Sequence, residues 1–344
     1  MSRETLKPQR RERAGLVILG LTAALAALLV VAIGIGKFPI ATTDILTAFW
    51  NALTGHGSKG PIETVLFSVR LPRVLAAVLV GAALAAAGAA YQGLFRNPLV
   101  SPDILGVSTG AGLGAVLGIF LSLPVAGIQL LAFVTGLATV GLVYVVAGLV
   151  RNREPLLVLV LAGVVVGSLA GAVISLLKIL ADPYDQLPAI VFWLLGSLSS
   201  VRSGELWSAA PLAAAGLVPM LLLRWRINVL SLGDEEARSL GVEAGRLRLV
   251  VIAAATLMTA SVVAIAGVIG WVGLIIPHLA RMLVGPNFDR LLPASLLMGG
   301  TYLLLVDTLA RSLAQTEIPL GVLTAMVGAP FFLWLLARGE EGWS

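Results

Sequence analysis

Apolar residues in this chain fall in long blocks, not in alternation. The blocks predict ten helices near residues 15–36, 72–92, 104–122, 126–150, 156–180, 206–223, 247–268, 271–285, 291–311 and 319–337. About 20 apolar residues cross a hydrocarbon core about 30 Å thick, so each block reads as a membrane span; the third and eighth are short. Segments 42–53 and 189–198 read as interfacial helices. No strand-length alternation is present, which argues against an outer-membrane barrel.

The polar islands carry the next signal. In Ser231-Leu-Gly-Asp-Glu-Glu-Ala-Arg-Ser-Leu-Gly241 four charges fall within five residues: Asp234, Glu235, Glu236 and Arg238. Ser231 is placed to cap a helix and Gly241 to end it in the left-handed conformation. About 14 Å of helix cannot cross the membrane. A short surface helix is therefore predicted, with Ala237, Leu240 and Gly241 on one face and Asp234, Glu235 and Arg238 on others. By itself the segment reads either as a solvated loop with helical content or as a helix that docks onto a soluble partner.

Composition agrees with a polytopic membrane protein: hydrophobic residues make up 58% and charged residues 12%, against about 25% charged in soluble chains. Cysteine is absent and only His56 and His278 occur. That removes disulfides, thiolate sites and a cysteine nucleophile, and argues against a multi-histidine metal site. The net charge of +5 reflects Lys and Arg at span ends, not a nucleic-acid surface. With a cytoplasmic N-terminus and ten spans, 16 of the 23 Lys and Arg fall on the cytoplasmic side, as the positive-inside rule asks. Both termini and the 231–241 helix are then cytoplasmic. Residues 1–14 form a basic tail. The apolar run 14–36 is too long for a signal-peptide core, so it is read as an uncleaved first span. The whole chain is read as one transmembrane domain.

Gly110, Gly114 and Gly118 form one row at every fourth position, and Gly163, Gly167 and Gly171 another. Such rows let helix backbones approach closely; the second row is also a candidate pore border. Arg70-Leu-Pro-Arg-Val-Leu-Ala-Ala opens the second span and Arg246-Leu-Arg-Leu-Val-Val-Ile-Ala-Ala the seventh. These Arg clusters fall on opposite faces and suggest a weak inverted repeat of spans 2–5 and 7–10, as in many transporters.

No nucleotide or catalytic motif is convincing. Gly34-Ile-Gly36-Lys37-Phe38 brushes against a phosphate-binding loop, but position 31 is Val and Phe38 stands where Ser or Thr is needed. ATP, if used, belongs to another subunit. No nucleophile–base pair or metal cluster supports an intramembrane enzyme. Asp307 with Arg311, and Lys178 with Asp182, are spaced as helical ion pairs. An ion-driven secondary transporter, the main rival reading, needs acids at mid-membrane, and the spans are nearly bare of them. Two connections are ordered helix starts: Ser101 with Pro102 after the break at Pro98, and Glu317-Ile-Pro-Leu-Gly321.

Six stretches, in order along residues 15–338, resemble one family. They are Arg70-Leu-Pro-Arg73, Tyr91-Gln-Gly-Leu-Phe-Arg-Asn-Pro-Leu99, Leu105-Gly-Val-Ser-Thr-Gly-Ala-Gly112, Leu232-Gly-Asp-Glu-Glu-Ala-Arg-Ser-Leu-Gly241, Gly273-Leu-Ile-Ile-Pro-His-Leu-Ala-Arg281, and Glu317-Ile-Pro-Leu-Gly321 with Gly328-Ala-Pro330. The family is the permease subunits of iron-chelate and cobalamin ABC importers. The resemblance implies a non-catalytic subunit of a homodimer with ten spans per copy in the bacterial or archaeal inner membrane. It implies two cytoplasmic ATPase subunits holding ATP and Mg, and a periplasmic or lipid-anchored binding protein. The chain itself is expected to bind no cofactor, metal or nucleic acid. Family cargoes are ferric siderophores, haem, cobalamin and sometimes molybdate.

The resemblance also implies site roles. Leu232, Gly233, Asp234, Glu235, Ala237, Arg238, Leu240 and Gly241 belong to the coupling helix, with Asp234, Glu235 and Arg238 toward the ATPase and Ala237 and Leu240 against the membrane domain. Arg70, Arg73 and Arg311 are expected to receive acidic residues of the binding protein. The alternative is local pairing, of Arg311 with Asp307 and of Arg70 with nearby Glu63. The transport path is expected along the fifth span near Gly163, Gly167 and Ser168, with a cytoplasmic gate at Glu154, Pro155 and Leu156; the alternative for each is ordinary helix packing.

Overall fold

A computed structural model describes residues 6–36, 38, 40–55, 60–150 and 154–337, without the side chains of 6–12 and 336. Arg3, Lys37, His56, Lys59, Arg151, Arg153 and Arg338, and the side chains of Lys7, Arg10 and Arg11, lie outside the described residues. Among those described, regular structure is entirely helical.

The order is α1 (Leu6–Gly34), α2 (Thr42–Leu53), α3 (Pro61–Thr64), a π-helical turn (Val65–Arg70), α4 (Leu71–Phe95), a 3₁₀ turn (Pro102–Leu105), α5 (Val107–Phe120), α6 (Val125–Leu149), α7 (Pro155–Leu180), α8 (Gln186–Leu194), α9 (Ser203–Leu222), α10 (Arg224–Leu230), α11 (Asp234–Ser239), α12 (Ala244–Ala266), α13 (Val272–Val284), α14 (Phe288–Ala310) and α15 (Leu320–Ala337). Each predicted span has a helix. Among the described residues seven helices are long and apolar enough to cross a membrane, taking Pro61–Phe95 as one; α5, α13 and α15 are shorter apolar helices.

Some boundaries differ from the sequence reading. The second span begins earlier, because α3 and the π-helical turn run into α4 without a break. The third is interrupted: after the 3₁₀ turn the chain passes through left-handed Gly106 before α5 starts. Ser101 does occupy the position before that turn, followed by Pro102 in its first residue. Lys178 and Asp182 form no ion pair among the described residues. Helix α7 ends at Leu180, which breaks their helical spacing, and Asp182 accepts hydrogen bonds from the backbone N–H groups of Tyr184 and Asp185.

Helices α4 and α12 run through the centre, where α4 presents a nearly continuous buried row of alanines. Small side chains let α4 meet α12, α13 and α14 at backbone distance. The first glycine row has the same use: a Cβ on Gly110 or Gly114 would stand 2.1 Å from the hydroxyl of Thr139 or Thr135 on α6. The second row divides. A Cβ on Gly163 would stand 2.2 Å from the Ile104 carbonyl, while one on Gly167 or Gly171 would meet nothing within 4 Å.

Candidate functional site

At one end of the bundle, α10 and α11 form a small knob. The sequence placed the cap of α11 at Ser231, but Ser231 closes α10 instead, its hydroxyl donating to the Asn228 carbonyl at 2.6 Å. Helix α11 then starts at Asp234 and spans six residues rather than nine. Its preceding residue, Gly233, has φ +132° and Gly241 has φ +77°. Both conformations favour glycine, and Gly241 ends the element as predicted.

The knob is fastened to the body at two points. Ala237 is fully buried. Asp234 accepts from Arg248 in the first turns of α12 at 2.9 Å while its side chain stays 38% exposed. Leu240 departs from expectation: it is 53% exposed rather than packed on the body. The outward surface includes Leu232, Glu235, Glu236, Arg238 and Leu240. Arg248 belongs to central helix α12, so this ion pair links the knob to the core.

Gate residues separate in the same way. Glu154 precedes α7 and Pro155 is its first residue; both are exposed, while Leu156 is buried. Gly163 is turned inward against Ile104, so it lines no open surface in this chain. Ser168 is exposed, its hydroxyl donating to the Val164 carbonyl at 2.7 Å, and the apolar side chains of Leu161, Val164 and Leu169 are exposed beside it.

At the other end the three arginines assigned to docking are buried: Arg70, Arg73 and Arg311 are 5%, 9% and 6% exposed. Arg73 donates from Nε to Asp307 at 2.9 Å and from Nη1 and Nη2 to Glu317 at 2.7 and 3.1 Å. Arg311 lies 3.6 Å from Asp307, the predicted i,i+4 pair, and donates to the carbonyls of Ala32 and Ile35. Arg70 donates to the carbonyls of Ile33, Gly34 and Phe38.

This arrangement favours the local-pairing alternative for Arg73 and Arg311 over docking. Three guanidinium groups face two carboxylates, Asp307 and Glu317. The surplus cations are aimed at the C-terminal carbonyls of α1, groups that lack intrahelical partners and form the negative end of the helix dipole. The arginines therefore tie α1 to α4 and α14. Sequence reasoning missed Arg73–Asp307, which joins residues far apart in the chain, and Arg248–Asp234. The i,i+4 spacing flagged Asp307 but could not show that Arg73 is its shorter contact.

Comparison with known proteins defines the class. The model of the FecCD transport family matches residues 24–338, and the chain belongs to that family. The chain is 42% identical to the molybdate import system permease protein MolB of Haemophilus influenzae, over 95% of this chain and 96% of that one. It is 39% identical to the cobalamin import system permease protein BtuC of Halobacterium salinarum, over 93% and 89%. It is 36% identical to the hemin transport system permease protein HmuU of Yersinia pestis, over 92% and 95%. A solved inward-facing metal-chelate type ABC transporter superposes with TM-score 0.85 and 40% identity, covering 94% of this chain and 99% of that one. The protein is an ABC importer permease subunit.

Proposed function

We propose that two copies of this chain form the membrane pathway of an ATP-driven importer. It takes an iron chelate (ferric siderophore or haem) or cobalamin from a binding protein and couples to separate ATPase subunits that hold ATP and Mg. The observation that carries the reading is the α10–α11 knob: rigidly fastened through Asp234 and Ala237, yet presenting Leu232, Glu235, Arg238 and Leu240 outward. A fixed projection of mixed charge and exposed leucine suits a cleft in a soluble partner. In the orientation that the positive-inside rule favours, the knob is cytoplasmic. The identity with MolB over nearly the full chain supports molybdate as a second cargo reading.

The coupling role is tested by the double variant Glu235→Lys/Arg238→Glu, which leaves Asp234, Ala237 and Arg248 untouched. Co-purification with the ATPase subunits is expected to weaken by about tenfold or more and transport to be lost, with the melting curve of the permease unchanged. Full ATPase association and transport in this variant would refute the assignment. Uptake of labelled ferric siderophore, haem, cobalamin and molybdate by the reconstituted complex decides the cargo.

The exposed stripe of α7 is proposed to meet the second copy, with Ser168 on the path and Glu154 and Pro155 at the gate. No native cysteine interferes with crosslinking. Cysteine at Leu161 or Ser168 is expected to crosslink two copies, and cysteine at Glu154 to do so in a nucleotide-dependent way. Cysteine at Gly163, which faces Ile104, should not crosslink. Crosslinking at 163 but not at 161 or 168 would place the interface elsewhere.

A further inference from the structure

Two motifs distant in sequence meet at the knob end of the bundle. Gln92, Arg96 and Asn97 from one, His278 and Arg281 from the other, and Asn228 of α10 converge on a cavity of about 520 Å³. Arg281 donates from Nη2 to Gln92 Oε1 at 3.1 Å, and Gln92 donates from Nε2 to the Leu274 carbonyl at 3.0 Å. The amide is thereby oriented and in turn orients the guanidinium, but it supplies no negative charge.

Among the described residues no Asp or Glu lines the cavity. Neither Arg281 nor Arg96 forms an ion pair there. Glu236 lies beside Gly233, as Arg96 does, yet makes no ion pair with it. Arg96 is also held in the left-handed region at the end of α4, with φ +49°, a conformation that residues other than glycine disfavour. A half-buried Arg281 and an exposed Arg96, neither carrying a carboxylate partner among the described residues, form a receptor for an external anion, and the planar fork matches a phosphate with two hydrogen bonds. Pockets of about 300–1,000 Å³ are the usual size for small ligands.

We propose that this cavity binds the phosphate headgroup of an anionic phospholipid from the leaflet on the knob side. Basic pockets between helix ends at the cytoplasmic boundary suit such headgroups. A free phosphate shares the chemistry, but the cavity has an apolar flank: Met282 lines it and is exposed, as is neighbouring Leu283. An acyl chain would lie along that flank. The lipid would bridge α4, α10 and α13 at the root of the knob. Asn228 of α10 lines the cavity, so the lipid site lies at the root of the proposed ATPase contact, and the test uses the permease alone so that failure of lipid binding and failure of ATPase association are read separately.

The test uses the purified full-length chain in detergent and native mass spectrometry with added phosphatidylglycerol or phosphatidylcholine. Phosphatidylglycerol is expected to bind at one saturable site per chain, about tenfold tighter than phosphatidylcholine. Arg281→Gln and Arg96→Gln should each reduce that preference to near parity. Arg246→Gln, an equal charge loss at an exposed residue paired with Glu243 at the same end, should leave it unchanged. Where Arg281→Gln fails to fold, Arg96→Gln decides, since its side chain is exposed. Equal binding of the two lipids, or a preference that survives Arg96→Gln, overturns the proposal. So does stabilisation of lipid-free protein by inorganic phosphate that depends on Arg281 and blocks phosphatidylglycerol, which would mark a free-anion site.

Discussion

Asp307→Asn is expected to destabilise the permease by about 3–5 kcal/mol, the range for removing one partner of a buried ion pair. Asp307 is fully buried and serves two arginines, at 2.9 Å from Arg73 and 3.6 Å from Arg311. The amide keeps the shape but removes the charge, leaving Glu317 alone against three guanidinium groups. Solvent reaches the edge of the cluster at Glu317, 26% exposed, but not Asp307 itself, which is fully buried. The loss should show as a lower melting temperature in detergent, followed by fluorescence of the seven tryptophans. Adding Arg311→Gln to Asp307→Asn should recover part of the loss, because one unpaired cation is removed with its counter-charge. A melting curve of Asp307→Asn equal to that of the parent would mean that the cluster does not hold α1, α4 and α14 together. The same variant separates this role from docking: binding-protein affinity should fall only as far as folded protein is lost.

The second large effect is expected from a single methyl group. At Gly88 an added Cβ would stand 1.9 Å from the Gly273 carbonyl oxygen. The obstacle is backbone on α13, so no rotamer change relieves it, and α4 and α13 must separate. Gly88→Ala should therefore cost about 3 kcal/mol, the upper range for overpacking, although alanine is otherwise the better helix former. Gly141 on α6 supplies the contrast, since nothing lies within 4 Å of its added Cβ. Gly141→Ala should be neutral or stabilising by up to about 1 kcal/mol. The pair thus makes one chemical change with opposite expected signs. Equal melting temperatures for the two variants would show that the α4–α13 approach is looser than the backbone geometry requires.

Much of the permease was legible in the chain alone. Block hydropathy is a local property, because each span must satisfy its own backbone in lipid. Every predicted span, including weak blocks 104–122 and 271–285, therefore corresponds to a helix. The short helices read at 42–53 and 189–198 were legible for a related reason, being apolar but too short to cross, although the second runs over 186–194. Order of motifs was enough to reach the family, and the left-handed turn at Gly241 was readable from residue type.

Side-chain partners were decided elsewhere. Charge counting placed Arg70, Arg73 and Arg311 at one membrane face but could not show whether they point out or in. The answer depends on Glu317 and the end of α1, which only the packed bundle brings to them. Asp234 read as a surface charge, and only packing showed that α12 brings Arg248 to it. Equal spacing made Gly163, Gly167 and Gly171 look equivalent, yet only Gly163 meets a neighbouring backbone closely. Ser231 had the chemistry of a cap but was captured by α10, an element too short to leave its own hydropathy signature. Local hydropathy dictated which segments are long and apolar enough to cross a bilayer and which are not. Tertiary structure decided which polar groups met, because in a low-dielectric bundle a buried charge takes the partner that geometry supplies, whatever its distance along the chain.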